Sequence, residues 1–512
     1  MLIVVSPQLG QAAATRTYLR NILPKKRATS IPQDAPPRPF SSWGIPTMLT
    51  SKRRIHRIYL ALTFSLALSL LLHSNANAAN KEETETYESG GPKATYAVNK
   101  DGDRDGPFKE FYEDGTVKVT GTYKKGKLSG SRKEFHPNGK LKLRSTYKKG
   151  KLSGKYSEHD EEGIATLTAQ YREGKLSGTL KRLDGRTVLA EEGWANGELI
   201  LPKTLSLLKK QFKAISKAKI ETVGDIPETT EDIVAKVNDP DMQAQRETAV
   251  RRLMMYRAAC NLPFADIALD RTHSAHSEAG AKMLGVRKMG IDHEPPNPGW
   301  SDTEYQFALE GTRKSNLQHA ALAAPVADSV RDFMWDTDPI NVERLGHRRW
   351  CLNPVMGKTG FGRAIHDEHS AVVTMWAFDN SREEVPDYEY FAFPARGLQP
   401  AALMRKGKPY AWNCSFNPKK YRMPAAGDLR VKLVPARFDA KRMRITRGKK
   451  EIELEHVHVS IEQWSYPPAV IFQPKEIELT AGHSYWVEIK GVKHTDGSDA
   501  KIGYLVSFVN LR

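Results

Sequence analysis

The chain has 512 residues, 39% of them hydrophobic, with nine tryptophans and a formal net charge of +18. That length allows two to four domains with cores of their own, and only three cysteines exclude a disulfide-built scaffold. The charge is uneven: residues 1–78 hold ten Lys or Arg against one acid, Asp34, leaving 68 basic and 59 acidic side chains beyond them.

The first element reads as an export signal. SKRRIHR (51–57) is basic, IYLALTFSLALSLLL (58–72) is an apolar run of 15, and ANA (76–78) is a small-residue cleavage site. A membrane-crossing helix needs about 20 apolar residues, more than this run supplies. The mature chain is expected to begin at Ala79 and to be secreted or held in the periplasm or cell envelope; an uncleaved anchor is the alternative. Met48, directly before the basic stretch, reads as the true start. Residues 79–104 follow as a polar linker broken by Gly90, Gly91 and Pro92.

Residues 105–200 repeat. YKKGKLSG at 123–130 recurs at 147–154 and as YREGKLSG at 171–178, so Gly130, Gly154 and Gly178 lie 24 apart, with Gly106 another 24 before. Gly115, Gly139, Gly163 and Gly185 form a second series between them. A period of this size means an array of one supersecondary unit, and Asp-Gly or Asn-Gly favours a hairpin turn. Each unit reads as strand, turn, strand, turn, and four stacked hairpins make an antiparallel ribbon. Phe111, Tyr123, Phe135, Tyr147, Tyr171 and Trp194 recur in register and read as its stacking core. These units resemble MORN-type repeats, a resemblance that implies the fold and little about function.

From Lys118 to Lys155 stand thirteen Lys or Arg and one acid, Glu134. Counterion release would give this belt affinity for an anionic cell-surface polymer, and surface attraction would give it affinity for anionic lipid. Nucleic acid is the less natural partner of an exported chain. The competing reading is a solvated face whose lysines block strand addition at sheet edges; both stay open.

Residues 201–239 read as a helical connector, one helix over KTLSLLKKQFKAISKAK and then a Pro/Thr/Asp-rich segment. In 240–382, Asp239 caps a helix with Pro240 at its first position. A second helix, IALDRTHSAHSEAGAKML, precedes His293 in a proline-rich loop. EGTRKSNL, the helix VADSVRDFMW, RLGHRRWCLNP, GKTGFG and the strand AVVTMWAF follow. Residues 385–512 alternate in short runs such as HVHVSIEQW and IGYLVSFVNL, the pattern of an all-β sandwich.

The order of segments over about 245–380 resembles the CAP superfamily of cysteine-rich secretory and pathogenesis-related proteins, most closely its bacterial branch. The resemblance implies an α-β-α sandwich with a wide cleft, in which two histidines flanked by two glutamates can hold a divalent cation. His293 and His347 match the histidine positions. Two imidazoles plus water would leave a Zn²⁺ site open. The family's Glu-Asn-Leu appears here as Ser315-Asn316-Leu317, and a serine cannot replace a carboxylate as ligand or base. Glu310, five residues upstream, and Glu343, four before His347, are the nearest substitutes.

Other readings compete at each position. His347 could instead cap backbone groups beside Asn353-Pro354. His273 and His276, at i and i+3, could form a metal face or an exposed polar face. Arg348 and Arg349 could attract an anion, or one could pair with Glu343 or Asp336. Trp350 reads as core, and Cys260, Cys351 and Cys414 as free buried thiols. No Gly-x-Ser-x-Gly elbow, phosphate loop or CxxC pair appears. Ser274 and Ser277, near these histidines, are weak nucleophile candidates. The expectation is a multidomain α+β chain: a β-hairpin repeat array, an α-β-α sandwich and a C-terminal β-sandwich. Its expected role is to bind a small apolar or anionic ligand or a peptide without catalysis. A Zn²⁺-dependent hydrolase and a purely structural envelope protein are the alternatives.

Overall fold

The computed structural model describes residues 80–512 except 288–289, 386, 406, 408–409, 462–465 and 512. The leader, Met48 and the cleavage point before Ala79 lie outside the described residues. The chain divides into two compact units, one with the described residues up to 141 and 146–150, the other with 142–145 and 151–512.

In the first unit, β1 (Lys81–Thr86), β2 (Pro92–Val98), β3 (Arg104–Phe111), β4 (Val117–Lys124) and β6 (Gly130–Phe135) pair in that order, all antiparallel. The short β5 (Lys127–Leu128) folds back on β4, and β7 (Leu141–Lys148) runs across the division. Residues 81–98 therefore form a hairpin, not the linker read from their polarity. Their charges suit an outer strand: Lys81, Glu82, Glu83 and Glu85 discourage further pairing at an open edge.

The glycine series are the turns. Lys125-Gly126 and Lys149-Gly150 each have two consecutive positive φ values, 49° and 70°, then 52° and 80°, as a two-residue type I′ hairpin requires. The N–H of Gly126 donates to Arg104 O at 2.9 Å and that of Gly150 to Leu128 O at 2.9 Å, tying each turn to the preceding repeat. At the opposite turns Asp114 and Asn138 accept from the backbone two residues on. The apolar layer holds Phe108 and Val119. Tyr123 packs on Phe108 with ring centroids 4.8 Å apart, whereas Phe111, Phe135 and Tyr147 are only half-buried.

The second unit continues the hairpins through β8 (Lys151–His159), β9 (Ala165–Arg172), β10 (Lys175–Leu176), β11 (Gly178–Asp184), β12 (Thr187–Ala195) and β13 (Glu198–Leu201). The connector then differs from its sequence reading. Helix α1 (Leu205–Ile215) stops where Ser216 and the following polar run no longer bury a face, and a second helix, α2 (Glu231–Asn238), forms in the Pro/Thr/Asp-rich segment. Its Ile233 and Val237 are buried against Ala275 and Ala279, a partner far along the chain.

Asp239 caps α3 (Pro240–Ala259) as its position before Pro240 suggests. The next segment splits into a three-residue strand, β15 (Ala268–Asp270), and α4 (Arg271–Arg287); β15 pairs in parallel with β14 (Thr222–Val223) and β17 (Lys358–Thr359). After α5 (Asp302–Arg313), β16 (Ser315–Ala321) pairs with β19 (Ser370–Trp376), which also pairs with β18 (Phe361–Ile365). Helices cover both faces of this sheet. Val372 and Leu317 pack on Ala281 and Leu284 of α4. Val373, Met375 and Phe361 join the core of α3 and of α6 (Val326–Trp335). Gly362 permits the α4 contact: a Cβ there would lie 2.2 Å from Ser277 O.

Beyond lie β20 (Tyr390–Phe393), β21 (Gly397–Pro400), β22 (Trp412–Phe416), β23 (Tyr421–Arg422), β24 (Arg430–Asp439), β25 (Arg444–Arg447), β26 (Leu454–Ser460), β27 (Ala469–Pro474), β28 (Ser484–Lys490), β29 (Lys493–His494) and β30 (Ile502–Val509). They form sheets ordered β20-β22-β27-β26 and β21-β30-β28-β24-β25, with β23 and β29 paired as a separate two-stranded sheet. Trp412 on the first meets Tyr485 and Phe508 on the second at 6.2 and 6.5 Å. One apolar cluster joins residues from Ile215 to Phe508, drawing on both the helical part and the C-terminal strands. No helix among the described residues is long and apolar enough to cross a membrane.

Candidate functional site

The six-residue α7 (Gly346–Cys351) carries His347, Arg348, Arg349 and Trp350. These four consecutive side chains go to different environments. Arg348 is fully buried and donates to Met334 O at 2.6 Å, Trp335 O at 2.7 Å, Ala411 O at 2.7 Å and Asn413 Oδ1 at 3.2 Å. Arg349 donates to Ser460 Oγ at 2.6 Å and Pro467 O at 2.8 Å. Neither pairs with Glu343 or Asp336 through its guanidinium, and neither is open to an anion. They join the helical part to the β22 and β26–β27 region. Trp350 is core, stacked on Phe378 at 3.9 Å. Cys260, Cys351 and Cys414 are free and buried, and burial pushes the Cys260 and Cys351 thiols up to about 12.

His347 keeps 27% of its side chain exposed. Its Nδ1 lies 3.0 Å from Asp336 Oδ1. That carboxylate also accepts from Asn341 Nδ2 at 2.7 Å and from the Arg348 N–H at 3.2 Å. Asp336 ends α6 in the left-handed region, φ 49° and ψ 55°, which Asp tolerates better than most residues. Burial pulls the His347 pKa down, but the Asp336 carboxylate outweighs it and the net shift is upward. Nδ1 is committed to Asp336, while Nε2 has no hydrogen-bond partner among the described residues. Sequence reading offers Asp336 only as a partner for Arg348 or Arg349; the signal for its pairing with His347 is an acid at a helix end eleven residues before the histidine.

The other candidates divide between places. His293 is exposed and bonds reciprocally to Thr312: its Nδ1 lies 2.8 Å from Thr312 O, and Thr312 Oγ1 donates to His293 O at 2.9 Å. Asn316 donates from Nδ2 to His347 O at 3.0 Å. The two histidines thus attach to opposite ends of the segment 312–316. Ser315 does not join them. It is 1% exposed, pairs across the ladder with Trp376, and its Oγ has no hydrogen-bond partner. Because successive strand residues alternate faces, the contact toward His347 falls to Asn316. Glu343 is exposed, and the carboxylate that meets His347 is Asp336 instead.

Glu310 belongs to a second group, on the Trp376 face. It pairs with Lys314 at 2.6 Å, and this bond holds its carboxyl below the usual range. His273 stacks on Trp376 at 4.5 Å and 9°. His276 stacks on Phe307 at 3.9 Å, with Nδ1 2.9 Å from Phe307 O. These rings form an aromatic layer, not the exposed polar face expected of an i, i+3 pair. Burial holds the His273 pKa down. Ser274 donates to Asp270 O at 2.8 Å, and Ser277 is fully buried, so neither is presented as a nucleophile.

Among the described residues no group of three or more His, Cys, Asp or Glu is arranged to hold a metal ion. Open concavities of about 590 and 450 Å³ are lined by neither His293 nor His347.

Residues 104–125 and 128–149 match the MORN repeat variant. No curated protein matches the chain. Similar solved structures include the crystal structure of the GtfA/B complex, 11% identical over 30% of this chain and 27% of that one, with a TM-score of 0.15. Another is the crystal structure of accessory secretory protein 1,2 and 3 in Streptococcus pneumoniae, 9% identical over 39% and 41%, with a TM-score of 0.16. This chain spans less than half the length of either, and likenesses so low carry no inference about it.

Proposed function

We propose that this is an exported binding protein. In this reading residues 240–382 form a CAP-like module whose cleft takes a small anionic or apolar ligand or a peptide, and the hairpin array attaches it to a surface. Three features support the module: the order of its segments, the helices on both faces of β16-β19-β18, and the two histidine positions. The observation that carries the proposal is the shared anchor, with His293 held by Thr312 and His347 by Asn316. His347 offers a free Nε2, and its raised pKa favours the protonated ring. A protonated imidazole donates a charge-assisted hydrogen bond to a carboxylate or phosphate, so an anionic group is the better fit at that atom.

The test is native mass spectrometry of the purified full chain. The expected result is a retained small molecule that is lost from both His293→Ala and His347→Ala. A parent that carries nothing and binds none of a panel of small anions would overturn the reading.

The hydrolase alternative has one observation in its favour. A carboxylate on Nδ1 is the usual arrangement for a histidine that binds a metal through Nε2. If that reading holds, the purified chain carries one zinc, the metal is lost in either histidine variant, and affinity falls as pH drops through the raised folded-state pKa of His347.

A further inference from the structure

We infer that the stacked type I′ turns at Lys125-Gly126 and Lys149-Gly150 form a cation ladder that binds a linear polyanion, an acidic polysaccharide of the cell surface. The inference rests on the attachment role proposed for the hairpins and assigns that role a site and a ligand class.

Lys124, Lys125, Lys127, Lys148 and Lys149 are all exposed. None has an ion pair among the described residues. The two turns project on the same side, because each glycine N–H is tied to the preceding repeat. A Cβ on Gly150 would lie 3.7 Å from Lys127 Cβ, so the turns are in contact range. Successive turns are two strands apart, about 9.5 Å at the usual strand spacing.

The fold does not require these charges. The equivalent positions in the next two turns are Glu173-Gly174 and Asn196-Gly197, with the same pair of positive φ values. Asn and Gly are the residues such turns favour, and a lysine there sits in a backbone region it does not prefer. Edge protection does not explain them either, because β4 lies between β3 and β6 and is not an edge. Lysines placed against local preference in the turns, at the ends of interior strands and without ion-pair partners, are accounted for by a ligand. A membrane surface is the poorer fit: the turn tips Lys-Lys-Gly-Lys hold no apolar side chain to enter the lipid interface.

The experiment measures binding of the full chain to polygalacturonate, with vesicles of 30% phosphatidylglycerol in phosphatidylcholine as the second arm. Saturable binding to the polymer is expected, weakening steeply between about 50 and 200 mM salt. Changing Lys124, Lys125, Lys148 and Lys149 together to Asn should weaken it at least tenfold. Changing four other exposed lysines, Lys213, Lys217, Lys449 and Lys450, removes the same charge and should change it less than twofold. Equal losses in the two variants would show a nonspecific charge effect and overturn the site. No loss in the first variant, or tighter binding to vesicles than to polymer, would overturn it too. Neither variant touches His293 or His347, so ligand retention at the histidines is scored separately and the two readings fail independently.

Discussion

In the hairpin array, side chains and turns are fixed by contacts about one repeat away: Tyr87 OH donates to Phe111 O, 24 residues on. Between 240 and 512 the deciding contacts are far longer. Arg246 donates to Phe361 O across 115 residues, and Arg349 to Pro467 O across 118. The first design makes stability a sum of neighbouring units. The second closes a single core in which a helix and a distant sheet depend on each other. A lesion should therefore stay local in the array and spread through the rest.

The largest effect should come from dividing the continuous core. Tyr256 packs on Phe393 at 5.9 Å and donates to Leu403 O, and the cluster around them reaches Phe508. A chain ending at residue 382 is expected to lose its cooperative thermal melt. A sharp transition in that fragment would show that the helical part closes its own core. Cutting the array should do far less: a chain lacking residues 107–141 is expected to keep the melt of the 240–512 region.

Next comes Arg348→Met. It keeps the volume but leaves the carbonyls of Met334, Trp335 and Ala411 without their donor. Stranding buried acceptors of this kind should cost about 3–5 kcal/mol. Denaturant unfolding measures it, and a loss below about 1 kcal/mol would mean that water reaches the gap.

Gly106→Val tests the array. Its φ is 129°, and a Cβ would lie 2.8 Å from Ala97 Cβ. The strain should cost about 2 kcal/mol and appear as faster hydrogen exchange in β2, β3 and β4 alone. Faster exchange throughout residues 240–512 would contradict local independence.

The same contrast explains what the sequence makes legible. The array is readable because a 24-residue period and its glycines encode local turns, and Gly130, Gly154 and Gly178 all have positive φ. Residues 81–98 read as a linker because polar side chains on an outer strand look like one. The helix cap at Asp239 could be read locally. The carboxylate on His347 could not, because it depends on where α6 ends. Nor could the destinations of Arg348 and Arg349, whose acceptors at Ala411 and Pro467 lie far along the chain.

The smallest predicted effect lies where local and distant contacts meet, at the Asp336–His347 pair. The folded-state pKa of His347 is raised above its ordinary value. The pair's contribution is therefore fully present below about pH 6.5 and is lost as pH rises through the folded value. Asp336→Asn keeps an acceptor for Arg348 N–H and a residue that tolerates φ 49°, so it removes mainly the charge. Because 27% of the His347 side chain is exposed, solvent screening limits the effect to about 1 kcal/mol. The parent should be more stable than Asp336→Asn at pH 5.5, with the difference shrinking toward pH 9. The histidine proton followed by NMR should titrate at lower pH in the variant. A stability difference independent of pH, with an unchanged titration, would mean that Asp336 acts only as a backbone cap and does not set the charge of His347.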